Sequence, residues 1–383
     1  HYSYKNSLSS NVISAIVEDA KGNLWIGTEA EGLNYYDRTS GHFTNYRSGT
    51  SKENFLSSNL IKAISIDKNG NVWIAAYEGG LDFYSPSTGA FRNYKLSASK
   101  YNSLSTNRIT SLLNDKQGRF WIGSKNGLYK YNSKENTFES LLGSDKKNHL
   151  PAKSINSIFQ DESGTIWIST GEGVFYLKRD TEVFSKIKLK NRKTLLNNIN
   201  SIQQDSKGKI WFGSYNEGLV SYHSENQIVN IYTTAQGLPA NNITGIVEDN
   251  EGYLWVSTDK GLAKLEAGYF KVYSRKDGLP GNVFNYNSYL KDSNGELFFG
   301  GYNGMVSFLP ENIKLNKKEP QVVFTGLKLF NKDVNIDDDS KLLSKAISKT
   351  SKIVFSYDQN IFSIDFSVLN FIKSGKNKYA YRS

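Results

Sequence analysis

The segment EDAKGNLWIGT at residues 18–28 returns as IDKNGNVWIAA at 66–76, NDKQGRFWIGS at 114–124 and QDESGTIWIST at 160–170. It returns again as QDSKGKIWFGS at 204–214, EDNEGYLWVST at 248–258 and, in weaker form, KDSNGELFFGG at 291–301. Trp25, Trp73, Trp121, Trp167, Trp211 and Trp255 mark the units and Phe298 takes the seventh place, at spacings of 48, 48, 46, 44, 44 and 43 residues. Seven matches to one eleven-residue pattern define an internal repeat, and that repeat governs the fold.

Each unit reads as four strands. Upstream of the Asp lies an alternating, β-branched stretch, as in Asn11-Val12-Ile13-Ser14-Ala15-Ile16. Asp19 to Gly22 has turn chemistry, because Asp bonds nearby backbone N–H groups and Gly accepts positive φ. LWIGT is a second strand with a large aromatic payload, GLNYYD (32–37) a third and HFTNY (42–46) a fourth. A four-stranded meander of this length is a propeller blade. No segment carries the 3.6-residue pattern that a helical repeat of similar period requires.

The sequence therefore predicts an all-β chain with a seven-bladed β-propeller over residues 1–309. The seventh unit lacks an aromatic fourth strand before Pro310, while Tyr2 and Tyr4 precede Asn6-Ser7-Leu8-Ser9 as a fourth strand precedes its exit elsewhere. Residues 1–5 are thus expected to complete the last blade and close the ring, removing a sheet edge. Residues 310–320 read as a Lys/Asn-rich linker. Within 321–383, QVVFTGLKLF (321–330), KIVFSYDQNIFSIDFSVLN (352–370) and KYAYRS (378–383) alternate like strands, with Phe362, Ile364, Phe366 and Val368 on one face. This predicts the first part of a truncated Ig-like β-sandwich, since a complete one needs about 100 residues.

Composition narrows the function. With 383 residues, 38% of them hydrophobic, the chain can build a core; a mean hydropathy of −0.51 and the lack of a long apolar run argue against a spanning helix. Cys is absent, which removes disulfides, thiolate metal sites and cysteine nucleophiles together. His1, His42, His149 and His223 have no metal-ligand spacing, so no metal or cofactor is expected. The net charge of +10 is spread along the chain, four in residues 320–383 and six in the rest, rather than gathered in the patch a nucleic-acid binder shows.

These features resemble the two-component regulator propeller family, whose repeat runs L-x-x-N-x-I-x-S-I-x-x-D-x-x-G-x-L-W-I-G-T-x-x-G-L; Leu56 to Leu81 carries nearly all of it. The tail from Ile353 resembles the opening half of the Tyr-rich sandwich that follows such propellers. The resemblance implies the periplasmic sensor region of an inner-membrane hybrid two-component histidine kinase of the Bacteroidetes type. It implies an oligosaccharide ligand, acidic ones included, and control of glycan-use genes. It also implies a homodimer in the intact sensor, kinase activity outside this chain, and membrane attachment only through segments outside it. One propeller stands here where such sensors usually have two, so the chain reads as an internal fragment. A protein-interaction propeller and, less favoured, a polysaccharide lyase or hydrolase are the alternatives.

Residues repeated in every blade serve turn, packing or blade contacts; Asn11, Asn59, Asn107, Asn197 and Asn241 belong to this class. The D-x-x-G-x-x-W pattern is one residue longer than a sialidase Asp box and supports no sialidase reading. A ligand needs asymmetry, so the candidates vary between blades on one face. The loops joining second and third strands offer Glu29 and Glu31, Tyr77 and Glu78, Lys125 and Asn126, Glu172, Tyr215, Asn216 and Glu217, Asp259 and Lys260, and Tyr302 and Asn303. The loops entering the innermost strands add Arg108, Asn198, Asn242 and Asn285. Tyr faces stack on sugar rings, while carboxylates, amides and cations bind hydroxyls and acidic groups. Pairs such as Glu78 with Glu217, or Glu172 with Asp259, are what a glycosidase would need, but no His, metal or Arg cluster accompanies them, so no catalytic residue is expected.

Overall fold

The structure is a computed structural model that describes residues 6–49, 55–94, 104, 106–143, 150–151, 154–191, 196–313 and 321–368. The chain divides into two compact units, His1–Asn312 and Ile313–Ser383. In the first, seven antiparallel sheets follow one another in chain order, from Ile13–Glu18 to Gly304–Phe308. The first six have four strands each; the seventh has three among the described residues, Phe284–Lys291, Leu297–Gly301 and Gly304–Phe308. The first strands of successive sheets touch in chain order and that of the seventh returns to that of the first, so the sheets form a ring around a central channel. The expected completion of the last sheet by Tyr2 and Tyr4 lies outside the described residues.

The repeated motif builds the turn between first and second strands. Asp249 Oδ1 accepts from the backbone N–H groups of Glu251 and Tyr253 at 3.0 and 2.9 Å, while its Oδ2 accepts from Trp255 Nε1 at 2.8 Å. Asp115, Asp161 and Asp205 bind Trp121, Trp167 and Trp211 in the same way. One carboxylate therefore closes the turn and satisfies the only polar atom of a buried indole.

The tryptophan packs against the following blade. Trp25 sits among Leu56, Ile61, Ile74 and Tyr84 of the second sheet, and Phe298 among Ile13, Ile16, Leu24 and Ile26 of the first. The glycine of the LWIGT strand has the complementary role. A Cβ on Gly213 would stand 2.7 Å from Ile243 Cγ2 of the next blade, and one on Gly300 would stand 2.6 Å from Ile13 Cγ2. Ala75, Ser169 and Ser257 fill the same slot, so only small residues occur there. The Ile at the start of the inner strand is thus a knob inserted into the preceding blade at these seams, as Ile61 and Ile155 are against Gly27 and Gly123.

Polar bonds follow the same seams. Asn59 and Asn241 accept through their backbone carbonyls from Gly32 and Gly218 of the preceding blade, and Asn11 accepts from Gly304 at 2.7 Å. At the opposite end of the inner strands, Gln160, Gln204 and Glu248 take backbone N–H groups of the preceding turn; Glu18 takes Ser293 N–H at 2.7 Å. The seam between seventh and first sheets has an additional clamp. Phe298 cannot bond Asp292, and Arg38 of the first sheet donates to Asp292 Oδ2 at 2.5 Å and to Glu296 at 2.6 Å. Its guanidinium lies over the Phe298 ring, 5.5 Å from the centroid.

Burial pushes the hydroxyls of Tyr273 and Tyr289 up to about 12. Both phenols hold their proton more tightly in the folded chain than at the ordinary value of 10.0. Their contribution is complete below pH 10 and is lost as pH rises toward 12. Urea midpoints should accordingly hold up to pH 10 and fall between pH 10 and 12, with Tyr289→Phe reducing that fall; a midpoint that drops already between pH 8 and 10 would contradict it.

The second unit contains a three-stranded sheet in which Val322–Leu329 lies between Lys332–Asp333 and Phe362–Val368. Leu327, Leu343 and Ile347 form its small core. The strand expected across 352–370 is shorter, because 352–361 runs irregularly through a turn at Tyr357-Asp358. Phe362, Ile364 and Phe366 alternate with Ser363 and Asp365 as expected, yet all five are exposed. The KYAYRS segment lies outside the described residues.

Candidate functional site

The turn between second and third strands is built alike in four of the blades. Thr28, Ser124, Thr170 and Thr258 donate through their hydroxyls to the carbonyls of Gly32, Gly127, Gly173 and Gly261. The glycine is obligatory at Gly218: its φ is 87° and a Cβ would stand 2.1 Å from the Tyr232 carbonyl oxygen. Five of the turns are then tied to the residue entering the inner strand. Glu29, Tyr77, Lys125, Tyr215 and Tyr302 donate their N–H to Val12, Leu60, Arg108, Asn198 and Val283 at 2.7–3.2 Å. Both loop sets therefore lie side by side at one mouth of the channel, on a constant scaffold with variable tips.

Each of the first six inner strands has an irregularity at one position, occupied by Ser14, Lys62, Thr110, Asn156, Asn200 or Thr244. The seventh departs from this pattern. Phe284 pairs with Gly301 and Tyr289 with Phe299, so Asn285 to Ser288 oppose Gly300 alone. Asn287, at φ 58°, donates from Nδ2 to the Thr110 carbonyl of the third sheet at 3.4 Å, bridging the channel. Beyond this bridge lies a cavity of about 220 Å³ whose lining includes Ala63, Ser111, Ser157, Ile202 and Tyr289.

Two clusters form at the mouth. On the first three sheets, Lys62 Nζ donates to Glu29 Oε1 at 2.8 Å and Asn285 Nδ2 to the same oxygen at 3.1 Å. Burial pushes the Glu29 carboxyl up, but these two bonds and the Lys62 charge outweigh it and hold it below the usual range. Arg108 Nη2 pairs with Glu78 Oε1 at 3.2 Å, and Lys62 and Arg108 both lie about 6 Å from the Tyr77 ring centroid. Glu78 adopts φ 59°, which its N–H bond to the Asn107 carbonyl accompanies.

The second cluster spans the fifth to seventh sheets. Tyr286 donates its hydroxyl to Asn242 Oδ1 at 3.0 Å, and Asn242 Nδ2 donates to Asp259 Oδ2 at 3.2 Å. Asp259 Oδ1 is buried without a hydrogen-bond partner. Burial raises the Tyr286 hydroxyl pKa against the Asn242 bond, with Tyr215, Asp259 and Tyr302 close enough to add to the shift. Tyr215 and Tyr302 are 54% and 47% exposed.

The candidates divide accordingly. Tyr77, Glu78 and Arg108 join in the first cluster; Tyr215, Asp259 and Tyr302 surround the second. Asn126, Asn216, Glu217 and Lys260 donate backbone N–H to the Ser or Thr of their own turns. Lys125 is exposed at its tip, and Asn303 packs against Gly281. Glu31 pairs outward with Arg47 at 3.1 Å. Sequence reasoning missed Lys62, Tyr286 and Asn287. A signal for the last two exists: ten positions separate Asn282 from Asp292, where eight separate Asn11 from Asp19 and Asn241 from Asp249. Among the described residues no group of His, Asp and Glu has the arrangement of a metal site.

Repeated four-stranded blades in a ring, with variable turn tips at one mouth of the channel, define a β-propeller. Two component regulator propeller repeats match at residues 7–30, 56–78, 103–126, 149–172, 195–216 and 237–260, and the chain belongs to this family. The chain is 40% identical over 129 residues to histidine kinase P4 of Formosa agariphila, a match covering 33% of this chain and 9% of that protein. It superposes with TM-score 0.73 and 27% identity on the extracellular domain described for a hybrid two-component system of B. thetaiotaomicron, covering 96% of this chain and 48% of that one. The chain thus spans about half of that domain and a small part of the kinase. Virginiamycin B lyase of Staphylococcus aureus, at TM-score 0.57 and 12% identity over 78% of this chain and 94% of that one, shares the fold alone.

Proposed function

We propose that this chain is the periplasmic ligand-reading region of an inner-membrane hybrid two-component sensor, and that its channel mouth binds oligosaccharide. The observation that supports this reading is the second cluster, where two half-exposed tyrosines flank a hydrogen-bonded Asn242–Asp259–Tyr286 group. Exposed aromatic faces beside fixed amide and carboxylate groups suit the apolar faces and hydroxyl edges of sugars. In the complete protein, binding would be relayed to a histidine kinase that controls glycan-use genes. Blades locked at every seam leave the ring little freedom, so the signal is carried by a change in the arrangement of two protomers. The ligand must then favour one arrangement over the other.

A thermal-shift screen against oligosaccharides tests the reading. A ligand at 100 times its Kd should add about 2.7 kcal/mol of stability by mass action, without product formation. A screen with no shift from any oligosaccharide overturns it, as does turnover of one that is abolished by Glu217→Gln.

A further inference from the structure

The two halves of the mouth differ in kind. On the first three sheets two of the three mouth cations are already engaged, Lys62 by Glu29 and Arg108 by Glu78, while Lys125 stands exposed at its tip. An acidic sugar would have to compete with these carboxylates for Lys62 or Arg108. On the fifth to seventh sheets the turn tips carry Glu217 and Asp259 against Lys260 alone, although the chain as a whole is at +10. The positive charge of the molecule is not gathered where the exposed aromatics are.

We propose that the ligand is a neutral, hydroxyl-rich sugar seated between Tyr215 and Tyr302, with its hydroxyls directed to the Asp259–Asn242–Tyr286 group. This rests on the reading of the mouth as an oligosaccharide site and adds the ligand's charge class and its position. Asp259 Oδ1 carries the chemical argument. A buried carboxylate oxygen without a partner demands a donor. A sugar hydroxyl supplies one once the carboxylate turns toward the channel, whereas a uronate or sulfate brings a second anion to the same place. Tyr215 comes from the fifth sheet, Asp259 from the sixth and Tyr302 from the seventh, so three consecutive blades contribute one side chain each. Tyr286 belongs to the insertion in the seventh inner strand and holds Asn242, making it a positioning residue.

Calorimetric titration with two sets of probes tests this. The neutral set is malto-, xylo-, arabino- and galacto-oligosaccharides; the acidic set is oligogalacturonates and chondroitin sulfate oligosaccharides. The expected result is binding from the neutral set, weakened at least tenfold by Asp259→Asn and by Tyr215→Ala or Tyr302→Ala. Both tyrosines are half exposed, so these variants keep the fold, and an unchanged melting profile in the absence of sugar verifies it. Tyr286→Phe keeps the ring but loses the bond to Asn242, and should weaken the same neutral ligand. Binding of an acidic probe that Arg108→Ala or Lys62→Ala weakens would overturn the charge class while leaving the oligosaccharide reading intact. A neutral ligand indifferent to Tyr215, Asp259 and Tyr302 would overturn the position. No binding from either set would overturn this inference and the oligosaccharide reading together.

Discussion

Asp249→Ala is expected to destabilise the propeller by about 3–4 kcal/mol, visible as a large fall in the urea midpoint. Asp249 is 3% exposed and both its oxygens are occupied. Oδ1 takes two turn N–H groups, and Oδ2 takes Trp255 Nε1 with Lys264 Nζ at 3.9 Å. Alanine leaves a buried indole N–H, two turn amides and a cation 13% exposed without their common acceptor. Asp249→Asn should also destabilise, by about half as much, because an amide presents only one acceptor oxygen where two are needed. Asp67 is the internal comparison. It closes the same turn through the N–H groups of Asn69 and Asn71, but the side chain it binds is Asn71 at the half-buried turn. Asp67→Ala should therefore cost about 1 kcal/mol, the typical value of a turn or cap bond. Equal losses at Asp67 and Asp249 would show that the bond to the indole contributes nothing.

Arg38→Ala should open the seam between the first and seventh sheets and cost about 2–4 kcal/mol. The Asp292 side chain has no exposure, and alanine leaves its Oδ2 buried without the guanidinium. Removing one partner of a buried pair is costly because the remaining charge stays desolvated. The Asp292 bond, with the Glu296 and Glu18 charges adding to it, raises the Arg38 pKa against the opposing effect of burial, so the cation is tightly held. Arg38→Lys should recover part of the loss: it restores the charge but not the fork that reaches Asp292 and Glu296 together. The loss should be local before it is global. Hydrogen exchange in Arg38→Ala should quicken first across Ile13–Glu18 and Phe284–Lys291, with Ile155–Gln160 on the far side of the ring unaffected. Uniform acceleration in all seven sheets would show that this seam has no special role.

The seam also shows why two readings of the sequence met different outcomes. The seven tandem motifs gave the strand order because each strand is specified by local chemistry: an Asp/Gly turn, a β-branched run, a Gly at positive φ. Alternation along Phe362, Ile364 and Phe366 is equally local and appears in the structure. The strand expected at 352–361 required pairing with a distant segment, and alternation alone does not supply a partner.

The sequence by itself determined the blade, the number of motif copies and the face on which the variable tips gather. These follow from interactions within one repeat or between successive repeats, which periodicity displays directly. Only the tertiary structure decided which tips meet. Tyr215 lies 71 positions before Tyr286 in the chain, and Thr110 lies 177 before Asn287, yet the ring brings each pair to the same mouth. The same closure sets Arg38 against Asp292, 254 positions away, and engages Lys62 and Arg108 with carboxylates. A residue's charge is written in its sequence. Whether that charge is open to a ligand depends on what stands opposite across the ring, and only the closed ring places anything there.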